Sequence, residues 1–107
     1  WARVVLGLTL LESDRLEEAV GELVEGARSR PEDVSAQTLA ALAAAATGAE
    51  GIAYEMLERG RMRAGEEDIA LISLVEERVD SGPDSARRLL MDDLAPDELR
   101  QRLQARP

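Results

Sequence analysis

Short breaks carrying Gly, Pro, Ser or Asp divide the chain evenly into stretches dominated by Ala and Leu. The stretches have the length of helices and the breaks the chemistry of helix ends, so the pattern predicts helices at about 2–12, 15–29, 32–46, 50–63, 67–80, 84–93 and 97–105. Asp14 followed by Glu17 has the spacing of a capping box, with Asp in place of the usual hydroxyl residue. Ser81 can cap a helix whose first turn holds Pro83 and Asp84. Pro31 and Pro96 suit first-turn positions, where a missing N–H costs nothing. Gly48, Gly65 and Gly82 fall between helices, where a left-handed residue is often needed. Every connection is a few residues long, so successive helices are expected to be antiparallel neighbours.

The chain also repeats itself. Ala19 and Leu23 recur 34 residues later as Ala53 and Leu57, and 33 residues after that as Ala86 and Leu90. Gly48 and Gly82 are 34 apart, and Asp14 precedes Gly48 by the same interval. A small residue thus returns at one point of every second helix, where two helices must cross closely, and a Leu one turn later fills the space beside the crossing. Helical hairpins repeating over such a period are expected to stack. The alternative is a plain helical bundle in which the spacing is accidental.

These residues resemble the tetratricopeptide repeat family. In residues 1–33, Leu6-Gly7 with Leu10 stands where the family has Leu-Gly-x-x-Tyr, Ala19-x3-Leu23 where it has Ala-x3-aromatic, and Pro31 closes the unit. The run from Asp14 to Val20 is typical of its turn into the second helix. Residues 34–66 keep Gly48, Ala53 and Leu57 but end in Gly65 rather than Pro, and their first helix carries Ala40, Ala41 and Ala44 at the signature places. Residues 67–95 keep Gly82, Ala86 and Leu90. The helix from Pro96, within 96–107, would be the polar cap that ends such arrays. The resemblance implies a single all-α domain of about seven helices, stacked as a short right-handed solenoid.

In that family the first helix of each pair lines a concave groove. Laid on this chain, the groove would hold Trp1, Val4, Leu8 and Leu11, then Thr38, Leu42 and Ala45, then Ile69, Ile72 and Glu76. An apolar strip of this kind marks an interaction site. The resemblance implies a scaffold or adaptor that holds a helix or apolar peptide of a partner protein. One branch of the family grips a C-terminal carboxylate with Lys and Asn; this chain contains neither, which argues against that role. Self-association as a homo-oligomer or structural spacer of a larger protein, or coverage of the strip by the polypeptide itself, would bury the same residues.

Composition narrows the chemistry. Hydrophobic residues make up 45% of the 107 and charged residues 33%, a balance that folds into one domain. His and Cys are absent, which removes imidazole and thiolate ligands, bases and nucleophiles. Ser73 and Ser85 therefore have no usual base, and neither a catalytic role nor a cofactor is expected. The carboxylates of Glu66–Asp68, Glu76–Glu77 and Asp92–Asp93 are adjacent in sequence, point about 100° apart on a helix, and read as solvated faces. Gly21-x4-Gly26 has phosphate-loop spacing without the following Lys, and lies inside a predicted helix. Arg59, Arg61 and Arg63 cluster at the end of the fourth helix, where they either complement its negative end or form an anion dock.

A net charge of −9 opposes binding to nucleic acid. No apolar run is long enough for membrane insertion, the longest weakly polar one being Thr38 to Thr47. No signal peptide is visible, and a cytoplasmic setting is the expectation, although a chain that opens at Trp1 reads as an excised piece.

Overall fold

The computed structural model describes residues 2–93. Six α-helices follow in order: α1 Ala2–Glu12, α2 Leu16–Arg28, α3 Val34–Ala46, α4 Glu50–Arg63, α5 Glu66–Ser81 and α6 Pro83–Arg88, the last running into a π-helical turn, Leu89–Asp93. No strand occurs among the described residues. The bounds lie within two residues of the sequence expectation, except that the sixth stretch changes from α to π geometry midway. The seventh predicted helix, 97–105, lies outside the described residues.

Helix ends explain most of the boundaries. Asp33 caps α3, its carboxylate accepting from the Ala36 N–H at 3.1 Å. The helix therefore starts after Asp33, and Pro31 belongs to the preceding turn rather than to a first turn. Asp68, buried, reaches back to accept the Gly65 N–H at 3.0 Å and closes the start of α5. Pro83 does open α6, but Ser81 closes α5 instead of capping α6, and its hydroxyl donates to the Glu77 carbonyl.

Asp14 departs from expectation in an informative way. It makes no capping box; Arg15 is the residue before α2, and no side chain caps that end. Asp14 instead takes φ 57 and ends α1: its N–H donates to Leu11 and the Arg15 N–H to Leu10, at 3.0 and 2.9 Å. Thirty-four residues later Gly48, at φ 85, ends α3 identically, with Gly48 N–H donating to Ala45 and Ala49 N–H to Ala44. Both are Schellman turns, in which a left-handed residue turns two orphan N–H groups back onto the last carbonyls. Gly82, at φ 110, holds the third place. The three positive-φ residues of the described chain thus fall at the 34-residue interval read from the sequence.

Packing repeats as well. Ala19, Ala53 and Ala86 are fully buried, as are Leu23, Leu57 and Leu90. At Gly26 of α2 an added Cβ would meet Val4 and Arg3 of α1; at Gly60 of α4 it would meet Gln37 and Thr38 of α3. Each residue in the second set lies 34 after its counterpart.

The hairpins do not unroll into an open array. Helix α3 packs against α2, α4, α5 and α6 and touches the π turn. Of its 13 residues only Ser35 and Ala46 escape burial. A helix apolar on every side has no face to offer water, so its neighbours enclose it. The radius of gyration, 11.9 Å, agrees with the roughly 12–13 Å of a compact domain of this length. The third hairpin folds back far enough for Arg87 of α6 to lie 3.8 Å from Asp14.

One buried polar side chain fastens α2 to α3. The Gln37 amide donates to the carbonyls of Ala27, at 2.7 Å, and Arg30, at 3.0 Å, at the C-terminal end of α2. Its Oε1 is buried without a partner.

Candidate functional site

The enclosure of α3 decides the fate of the expected groove. Val4, Leu8, Leu11, Thr38, Leu42, Ala45 and Ile72 are all buried and belong to the core rather than to an open concave face. Of the possibilities open for this strip, coverage within the chain is the one the structure contains. Thr38 is satisfied locally, its hydroxyl donating to the Val34 and Ser35 carbonyls. Glu76 is half-buried and pairs with Arg61 across α4 and α5. Ile69 is exposed. Trp1 lies outside the described residues.

The arginines of α4 do not converge. Arg59 pairs with Glu55 at 3.5 Å, and Glu55 also meets Arg28 at 3.5 Å. Arg61, about 200° around the helix from Arg59, meets Glu58 at 3.9 Å as well as Glu76. Only Arg63 has no ion pair with another described residue. An anion dock needs donors aimed at one point, and here two of the three are already turned to carboxylates. These exposed pairs contribute about 0–1 kcal/mol each.

The candidate carboxylate sites are equally dispersed. Glu66 and Glu67 are solvent-exposed in the first turn of α5, while Asp68 is engaged by the Gly65 N–H. Ser73 is exposed and Ser85 half-buried. No group of three or more Asp or Glu among the described residues could hold a metal ion, and no described helix is long and apolar enough to cross a membrane.

Two surface features stand out, of which the sequence reading names only Ile69 as an exposed apolar contact. The first is a cleft of about 420 Å³ at one end of the bundle, where the α1–α2 turn, the end of α3 and α6 meet. Asp14, Arg15, Glu17, Glu18, Thr47 and Arg87 line it, and Arg15 pairs with Glu18 there. Its walls are polar and of mixed charge. The second is a set of bulky apolar side chains left in water. Met62 is 74% exposed, Ile69 57%, Leu6 46% and Tyr54 44%. Met62 and Ile69 flank the two-residue connection between α4 and α5. Their exposure had a readable signal: the buried stripe of α4 runs Ala53, Met56, Leu57, Gly60, and position 62 falls off it.

Tyr54 spans the same pair of helices further along. Its hydroxyl donates to Asp80 of α5 at 2.5 Å. That hydrogen bond, with desolvation and the nearby charges of Asp80 and Glu50, raises the phenol above its ordinary value of 10.0.

The fold and surface together define an all-α protein built of three successive helical hairpins. No model of a known family, no curated protein and no solved structure matches this chain.

Proposed function

We propose that the chain is a non-catalytic helical module that binds another protein, in the manner of a tetratricopeptide-like scaffold, and that it does so through its outer surface. The internal strip first considered for the role is occupied by the chain's own core. What supports the outer surface is one observation: Met62 and Ile69, both more than half exposed, stand on either side of the α4–α5 connection. Each leaves apolar area in water that docking would remove, at about 25 cal/mol per Å². The 34-residue spacing of Asp14, Gly48 and Gly82 supports the scaffold reading, because serial hairpins are the architecture with which the sequence resemblance is associated.

The experiment compares binding by the wild-type chain with that of Met62→Asp/Ile69→Asp. Both positions are exposed, so circular dichroism should be unchanged while a partner recovered by the wild-type chain is lost. Equal recovery by the two forms would remove this surface from consideration. Light scattering on the same pair separates the alternative: a wild-type oligomer that becomes monomeric in the double variant identifies a homo-oligomerisation domain.

A further inference from the structure

The first two hairpins correspond in geometry at an interval of 34 residues, and the correspondence points to an exposed face of α1. On α3 the stripe Ala36, Gln37, Ala40, Ala43 is buried. Helix α2 packs on α3, and Gln37 holds the Ala27 and Arg30 carbonyls at the end of α2. The residues 34 earlier are Ala2, Arg3, Leu6 and Thr9 of α1, and all four are exposed. The correspondence is one of geometry and not of numbering alone, since Gly26 meets Arg3 and Val4 where Gly60 meets Gln37 and Thr38. Arg3 therefore holds the position from which Gln37 caps a helix. Among the described residues its guanidinium meets Glu22, at 3.2 Å in an exposed pair, and a guanidinium has further donors.

We infer that this face of α1 docks the C-terminal half of an α-helix from a partner protein, laid on α1 as α2 is laid on α3. Arg3 donates to the last carbonyls of the docked helix, as Gln37 does to those of Ala27 and Arg30. A helix C-terminus offers up to four carbonyls without intrahelical partners and the negative end of the helix dipole, and both suit a cation. Leu6, where α3 has Ala40, calls for small side chains opposite it. A second copy packed α1 on α1 fits less well, because the helix end it would offer Arg3 has its Leu10 and Leu11 carbonyls already taken by the Arg15 and Asp14 N–H groups. The site is distinct from the α4–α5 end, so its failure would leave the proposal for that surface intact.

The probe is a peptide with the sequence of residues 16–33, cross-linked between positions 21 and 25 and confirmed helical by circular dichroism. It is titrated into the isotope-labelled whole chain and followed by amide shifts. Saturable shifts at Ala2, Arg3, Leu6 and Thr9 are expected. Leu6→Glu and Arg3→Glu should each weaken binding about tenfold or more, as losses at interface anchors do. Arg3→Gln, which copies position 37, should retain it, and Met62→Asp should leave it unchanged. Absence of shifts on α1, shifts elsewhere, or full binding by Leu6→Glu would overturn the inference. So would a self-association of the chain alone that disappears in Leu6→Glu, since the occupant would then be a second copy.

Discussion

Gly26 lies against Val4, and a Cβ built on it comes within 2.8 Å of a Val4 methyl and 3.2 Å of the Val4 backbone nitrogen. The equivalent glycine of the second hairpin, Gly60, has more room, its nearest neighbour being the Gln37 Cβ at 3.5 Å. Matching positions should therefore respond to one substitution with opposite signs. Gly60→Ala is expected to stabilise by about 0.5–1 kcal/mol through helix propensity. Gly26→Ala has the same gain to set against overpacking, which costs about 1–3 kcal/mol because backbone must yield. It should be destabilising on balance. Urea denaturation of the two variants beside the wild type checks the pair.

Gln37 predicts a larger effect. Truncation to Ala removes the side-chain donor from the carbonyls of Ala27 and Arg30, which keep only the N–H groups of Arg30 and Asp33, and empties the space of a fully buried side chain. A loss of about 2–4 kcal/mol is expected from the unmade hydrogen bonds and the lost packing together. Thermal unfolding measures it, and a loss below half a kilocalorie would show that the side-chain donor adds little to the backbone N–H groups those carbonyls already accept.

The helix-ending turns give a matched test in the backbone. Gly48→Ala places a side chain at φ 85 and should cost about 1–2 kcal/mol. Asp14→Gly relieves the same strain at φ 57 and forfeits only the long, exposed pair with Arg87. Its stability should hold or rise, by up to about 1 kcal/mol. Chemical denaturation of both variants decides whether the turns are energetically alike.

Alkaline titration tests the α4–α5 bridge. The folded-state pKa of Tyr54 is raised above 10.0, first by the hydrogen bond to Asp80. A raised pKa means that the stabilisation is present below pH 10 and fades as the pH climbs through the folded value, because the unfolded phenol ionises first. Tyrosinate absorbance in the wild-type chain should therefore appear above pH 10, and Asp80→Asn should move it down. Coincident titration curves would show that the bridge is not maintained in solution.

Much of the fold was legible because helix ends and recurring alanines are local signals. Ala19, Ala53 and Ala86 had to be interior if hairpins nest, and they are. The role of Asp14 was harder to read: an Asp three residues before Glu17 fits a cap as well as a left-handed turn, and only the turn back onto Leu10 and Leu11 separates them. The expected groove failed for a related reason. Leu8 and Leu42 carry the same apolarity whether they face a cleft or a core, and periodicity along one helix says nothing of how far the third hairpin curls. The all-round Ala surface of α3 was the available hint, since no stripe of it was polar enough to face water. Glu76, which pairs with Arg61, and Asp80, which pairs with Tyr54, lie 15 and 26 residues away on another helix, beyond the reach of local pattern.

The seams between successive hairpins are unequal in kind. Between α2 and α3 a fully buried side-chain amide donates to two carbonyls. Between α4 and α5 the cross-links are Tyr54 to Asp80 and Arg61 to Glu76, both in contact with solvent. Water and salt compete for the latter but not for the former. An order of disassembly is therefore expected: concentrated electrolyte or mild warming should loosen α4 from α5 first, and amide protons along that seam should exchange ahead of those in α3.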